Sequence, residues 1–168
     1  GNWNGLRKPI LIDLGMGGGL DALVMLSLGV RIIGIEALPS SFQYLRVRLA
    51  RFLDSGQLSL HHSVVISEER RRKMNGSQVF FREDTMRPDW SSVLQDTEQE
   101  ERDTNMRTHR VSSTSCVAIW RQYGRPDALK IDLEGMDKTC ISDLVASGAG
   151  PPRILSAEFP VDRSPQPA

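Results

Sequence analysis

Seven residues constrain this chain more than any others: Asp13-Leu14-Gly15-Met16-Gly17-Gly18-Gly19. The run 9–14 that leads into the glycines is mostly apolar, and the stretch 20–28 beyond them is almost wholly so. The first reads as a buried parallel strand; the second, closing at Gly29, reads as a buried helix. Glycines between two such elements let the backbone turn tightly and approach a ligand. In an open α/β sheet that ligand lies outside the carboxyl ends of the strands, where the strand order reverses. A tight turn with no ligand is the plain alternative, but Glu36 ends the next apolar strand, 31–36. A carboxylate there can accept hydrogen bonds from both neighbouring hydroxyls of a ribose.

The alternation continues along the chain. Pro39 breaks it after the second strand, and Ser40 with Gln43 fits a capping box. Phe42, Leu45, Leu49 and Phe52 then follow at helical spacing as far as Gly56. Residues 58–66 read as a third strand and 78–82 as a short extra one. From about 84 to 110 the chain turns polar, with Glu98, Glu100, Glu101, Arg102 and Asp103 crowded together, which predicts a solvated loop or a frayed helix. A helix over 115–123 and a strand over 127–132 come next. A helix marked by Ile141, Leu144 and Val145 ends at Gly148, and a last strand covers 152–159. The expectation is one domain over 1–159 with a polar insertion, then a loose proline-rich tail over 160–168. Strands alternating with helices predict a parallel sheet with right-handed crossovers.

Composition narrows the function. With 21 Lys and Arg against 21 Asp and Glu, no long-range field exists to gather nucleic acid. No apolar run has the length of a membrane span and no leader peptide is visible; the location is left unknown, cytoplasmic by default. Cys116 and Cys140 lie far apart and in no CxxC pair, which argues against a zinc site and against a disulfide framework.

The glycine loop does not fit two common nucleotide motifs. A dinucleotide fingerprint would place its third glycine at position 20, which is Leu20, and the P-loop ending GK[ST] is absent. Asp13, Glu36, Asp132 and Glu134 all fall at predicted strand ends, and the loop holds no Lys or Arg. A pyrophosphate would meet carboxylates there. S-adenosylmethionine carries a sulfonium and an ammonium and no phosphate, so an acidic rim suits it.

Three segments resemble the FkbM-type methyltransferases. Asp13, Gly15 and Gly19 match that family's D-x-G-A-N-x-G pattern, with Gly17 in place of the Asn. Glu36 and Pro39 match E-P-x-P, with Ala37 replacing the first proline. Leu129-Lys130-Ile131-Asp132-Leu133-Glu134-Gly135 is close to L-K-I-D-V-E-G, the most specific of the three. Ala157-Glu158 falls where the family often has a strand ending in Glu. Ser112 to Ser115 could match a threonine-rich stretch, but Cys116-Val117 stand where the family has Leu-Asp.

The resemblance implies a class I Rossmann-like methyltransferase fold: an open parallel sheet with helices on both faces. It further implies S-adenosylmethionine as cofactor and O-methylation of a hydroxyl on a small-molecule or glycan acceptor. Such folds have seven strands, the last two a hairpin, whereas five core strands are counted here, so the chain is expected to lack that hairpin. Asp13, Gly15, Gly17, Gly19 and Glu36 are the cofactor-binding candidates. An alcohol is a poor nucleophile, so a base is sought. Asp132 is the first candidate, Glu134 the second, and His61 and His62 outsiders more expected at the core edge. Lys130 either points into the site or covers the sheet edge. His109 and the run Arg70-Arg71-Arg72-Lys73 are expected to be solvated, Trp120 and Tyr123 to pack, and no ligand spacing demands a metal. Two other classes share the strand, loop and distal acid: an NAD-dependent oxidoreductase, and a truncated nucleotide-binding domain without activity.

Overall fold

The computed structural model describes residues 7–74, 78–84, 92–93, 106–133 and 135–158. In chain order the elements are β1 (Ile10–Leu14), α1 (Leu20–Ser27), β2 (Arg31–Glu36), α2 (Pro39–Arg48), α3 (Ala50–Asp54), β3 (Leu58–His62), β4 (Val64–Val65) and α4 (Glu68–Lys73). Then come β5 (Gln78–Asp84), β6 (Ser92–Val93), β7 (Met106–Thr114), α5 (Cys116–Tyr123), β8 (Ala128–Ile131), α6 (Asp137–Ala146) and β9 (Ile154–Ala157). The main sheet runs β3-β2-β1-β8-β9 with every neighbouring pair parallel. This is a Rossmann-like open sheet, and its order reverses at β1.

The central strands β1 and β2 are mostly apolar on both sides because both their faces are covered. Ile12 and Leu14 of β1 share one face with Ile33, Ile35, Leu129 and Ile131, under Val117 and Ile119 of α5 and Leu144 of α6. Leu11, Ile32 and Leu58 share the opposite face, under Ala22 and Leu26 of α1, Leu45 of α2 and Phe52 of α3. Full burial of one such Leu or Ile side chain contributes about 1.5–3 kcal/mol. On the α1 side, β8 and β9 pass beyond these helices, and Ile154 on the edge strand β9 is 65% exposed.

Several local expectations change. The predicted strand 58–66 splits at Ser63, and β4 leaves the main sheet to join a second one, β4-β7-β5-β6. Ser63 makes the corner, its N–H donating to Glu36 O at 3.0 Å and its hydroxyl to Ser112 O at 2.9 Å. The polar insertion is not a loop or a helix where it is described. β7 pairs antiparallel with β5 from Gln78↔Ser112 to Asp84↔Met106. One face of this hairpin carries Val79 and Val111, packed on Leu38, Val64 and Ile66. His109, expected on the surface, pairs with the buried Glu83 at 2.6 Å on that inner face. Residues 85–91 and 94–105 lie outside the described residues, as does the tail from Phe159.

The helix expected to start with a capping box at Ser40 begins at Pro39 instead, capped by Leu38 without a side-chain bond. Proline suits this first position because its fixed φ already matches the helix and its missing N–H would have no partner there. The basic run forms the end of the short α4. Ser67 caps it, and the buried Glu68 carboxylate accepts from Arg71, Arg72 and the Ser115 hydroxyl.

The expectation against a disulfide is overturned as well. Cys116 and Cys140 are bonded, 24 residues apart in sequence with Cα atoms 5.5 Å apart, joining α5 to α6 inside the core. Two helices lying side by side on one sheet face bring these cysteines together, and sequence spacing alone does not reveal that. Among the described residues, no helix is long and apolar enough to cross a membrane.

Candidate functional site

The glycine loop runs from the end of β1 to the start of α1, at the carboxyl edge of the sheet between β2 and β8. Gly15 has φ 84, and its N–H donates to Ile35 O at 3.0 Å. A Cβ on Gly15 would lie 1.9 Å from the backbone oxygen of Asp132. Gly15 is therefore required by the approach of the segment after β8, a packing reason that needs no ligand. Gly17 differs. Its φ is 52, and a Cβ there would meet nothing within 4 Å. Its N–H donates to Glu36 Oε2 at 2.9 Å. Gly19 caps α1, where a Cβ would strike the side chain of Leu45.

Glu36 is 6% exposed and accepts twice from backbone, from Gly17 N–H and from Leu38 N–H at 2.8 Å. Burial pushes its pKa above the usual carboxylate range, against the pull of those N–H groups. Each oxygen keeps further acceptor capacity, so the residue can hold the loop and also receive hydroxyl donors.

A second group of charges lies across the β1–β8 pair, where Asp13 and Lys130 are register partners. The Lys130 ammonium reaches Gly15 O and Asp132 Oδ2, both at 3.3 Å, and Asp13 Oδ1 at 3.5 Å. Of the two orientations open for Lys130, the structure takes the one into the site. Burial pushes the ammonium's pKa down, but the charges of Asp13 and Asp132 raise it above its ordinary value. Asp13 is 1% exposed, and its Oδ1 is buried without a hydrogen bond. Burial raises its pKa to about 6 despite the opposing effect of Lys130. The Asp132 side chain is 37% exposed.

Glu134, the second base candidate, lies outside the described residues. The histidines are taken up elsewhere. His61 Nε2 is 2.6 Å from the Tyr123 hydroxyl and 3.2 Å from Ser59 Oγ, and burial lowers its pKa. His62 stacks on Phe42 with ring centroids 4.7 Å apart, and its Nε2 is 3.1 Å from Ala37 O. Among the described residues, no three His, Cys, Asp or Glu side chains group closely enough to hold a metal ion.

Two residues near the rim escaped the sequence reading. Met16 lies over Gly34 of β2, where a Cβ would be 2.0 Å from its sulfur. A glycine inside a buried strand is a known sign of such close approach, and that signal was available. Asp137, the buried first residue of α6, accepts at 3.3 Å from Leu133 N–H and from Glu158 N–H, tying the segment after β8 to the end of β9. Nothing in its local sequence marks that role.

The rim thus brings together Asp13, Gly15, Gly17, Glu36, Lys130 and Asp132. Fold and site define a Rossmann-like α/β domain with its glycine loop at the switch point of its sheet. No protein-family model matches the chain, and no curated protein matches it. A solved structure of the glycopeptide N-methyltransferase MtfA aligns with 16% identity and a TM-score of 0.30, over 70% of this chain and 72% of that one.

Proposed function

We propose that this domain binds S-adenosylmethionine and methylates a hydroxyl of a sugar or small metabolite. The observation that carries the reading is the rim itself, in which the carboxylates of Asp13 and Asp132 flank one ammonium, Lys130, and Glu36 holds the glycine loop. A net negative crevice suits a cationic nucleoside and disfavours a pyrophosphate. The fit rests on the buried Asp13 Oδ1, which lacks a hydrogen bond, and on Glu36, whose oxygens can still accept. Glu36 would receive the ribose hydroxyls, the open backbone at Gly17 would lie against the nucleoside, and Asp13 with Gly15 O would take the ammonium. The cofactor supplies an electrophilic methyl group on its sulfonium.

The chain's own contribution is to hold an acceptor oxygen in line at near-attack distance. Asp132 is the described carboxylate that combines solvent access with a place beside the loop; its Oδ2 belongs to the place Lys130 fills, and its other oxygen is assigned to orient the hydroxyl or take its proton.

The test is calorimetric titration with S-adenosylhomocysteine and with NAD. One saturable site for the first and none for the second is expected. Tighter binding of NAD would replace this reading with the oxidoreductase one, and binding of neither would remove both.

A further inference from the structure

We infer that Lys130 is a place-holder: its ammonium stands where the cofactor's ammonium binds, and it must leave for the cofactor to seat. This rests on the cofactor reading above. The contacts of Lys130 make up a binding set for an alkylammonium. Its three nearest acceptors are a loop carbonyl, Gly15 O, and two carboxylates, Asp132 and Asp13, at 3.3, 3.3 and 3.5 Å. One of these, Asp13 Oδ1, is buried, and at 3.5 Å its ion pair with Lys130 is too long for a good hydrogen bond. The lysine thus fills the place without completing it. Its side chain is 23% exposed, so an outward path to water exists.

The device would confer selectivity. A ligand that carries an ammonium can displace Lys130 and regain its contacts. A ligand that lacks one leaves Lys130 where it is and gains nothing from the two carboxylates. Lys130 is therefore a positioning and specificity residue.

The experiment compares S-adenosylhomocysteine with methylthioadenosine, which shares the nucleoside and sulfur but has no amino-acid end. In the unaltered protein, reductive methylation followed by peptide mass spectrometry reads the reactivity of Lys130. It should rise when S-adenosylhomocysteine is added and stay unchanged with methylthioadenosine. By calorimetry, Lys130→Gln should bind S-adenosylhomocysteine about fivefold tighter, the upper range for a partly exposed ion pair, with methylthioadenosine unaffected. Lys130→Arg should behave like the parent.

Protection of Lys130 by S-adenosylhomocysteine, or weaker binding of that ligand alone to Lys130→Gln, would assign the lysine to the ligand's carboxylate and overturn the inference. Equal changes for both ligands would overturn it too, as an effect transmitted through the fold. If the unaltered protein binds neither ligand, the cofactor reading itself has failed. The labelling arm needs no variant, so it decides the question even if Lys130→Gln does not fold.

Discussion

The carboxylate of Glu36 accepts the backbone N–H of Gly17 at 2.9 Å, linking the end of β2 to the glycine loop after β1. Its other oxygen accepts Leu38 N–H at 2.8 Å, and the Leu38 side chain packs on the hairpin sheet. One residue therefore connects the loop, the second strand and the second sheet. Loop shape and the placement of Leu38 are coupled through it.

Replacing Glu36 with Gln tests that coupling. The amide keeps one acceptor oxygen and turns an NH2 toward a backbone N–H, so one anchor is lost along with the charged acceptor for a ribose. A hydrogen bond to a charged group contributes roughly 1.5–3 kcal/mol, so affinity for S-adenosylhomocysteine should fall by about tenfold to a hundredfold. An unchanged dissociation constant would place the ribose contact elsewhere.

Gly15 and Gly17 should separate folding from binding. Gly15→Ala puts a Cβ 1.9 Å from Asp132 O at φ 84, combining a backbone clash with left-handed strain. Overpacking costs about 1–3 kcal/mol and the strain about 1–2 more, so the melting temperature should drop sharply. Gly17→Ala meets nothing within 4 Å and carries the strain alone. It should fold, yet bind S-adenosylhomocysteine about tenfold or more weakly, because its methyl enters the cleft. A Gly17→Ala protein with full affinity would show that no ligand approaches the loop closely.

Asp13 should leave a signature in stability against pH. Its folded pKa is raised from 3.8 to about 6, so the folded state holds the proton more tightly than the unfolded state does. That contribution is fully present below 3.8 and is lost as pH rises through about 6. Asp13→Asn should flatten the stability curve between those values and gain relative to the parent above pH 6. Chemical denaturation at a series of pH values measures this. An unaltered curve would mean that Asp13 does not titrate as a buried carboxyl.

The legible part of this molecule is the part written locally. The loop from Asp13 to Gly19 sits between two contiguous apolar runs, and Glu36 closes the next run, so strand, turn, helix and acid could be read in order. β7 was not legible because its inward residues are few and one of them, His109, is polar. Its partner strand lies across an intervening segment of charge, and pairing, not propensity, makes it a strand. The contacts of Lys130 depend on which neighbour its register brings, Asp13, which periodicity along one strand does not specify. The Cys116–Cys140 bond depends on two helices sharing a sheet face. Asp137 acts on two backbone groups, one of them just past a strand that follows later in the chain.

The central claim is that a nucleoside with an ammonium-bearing arm seats against the glycine loop, with Glu36 at one end and Asp13 and Asp132 at the other. Amide hydrogen exchange read by mass spectrometry, with and without saturating S-adenosylhomocysteine, tests it most directly. Protection confined to segments 15–19, 36–38 and 130–133 is the predicted result. Binding with protection elsewhere, or no protection at any of these segments, would contradict it.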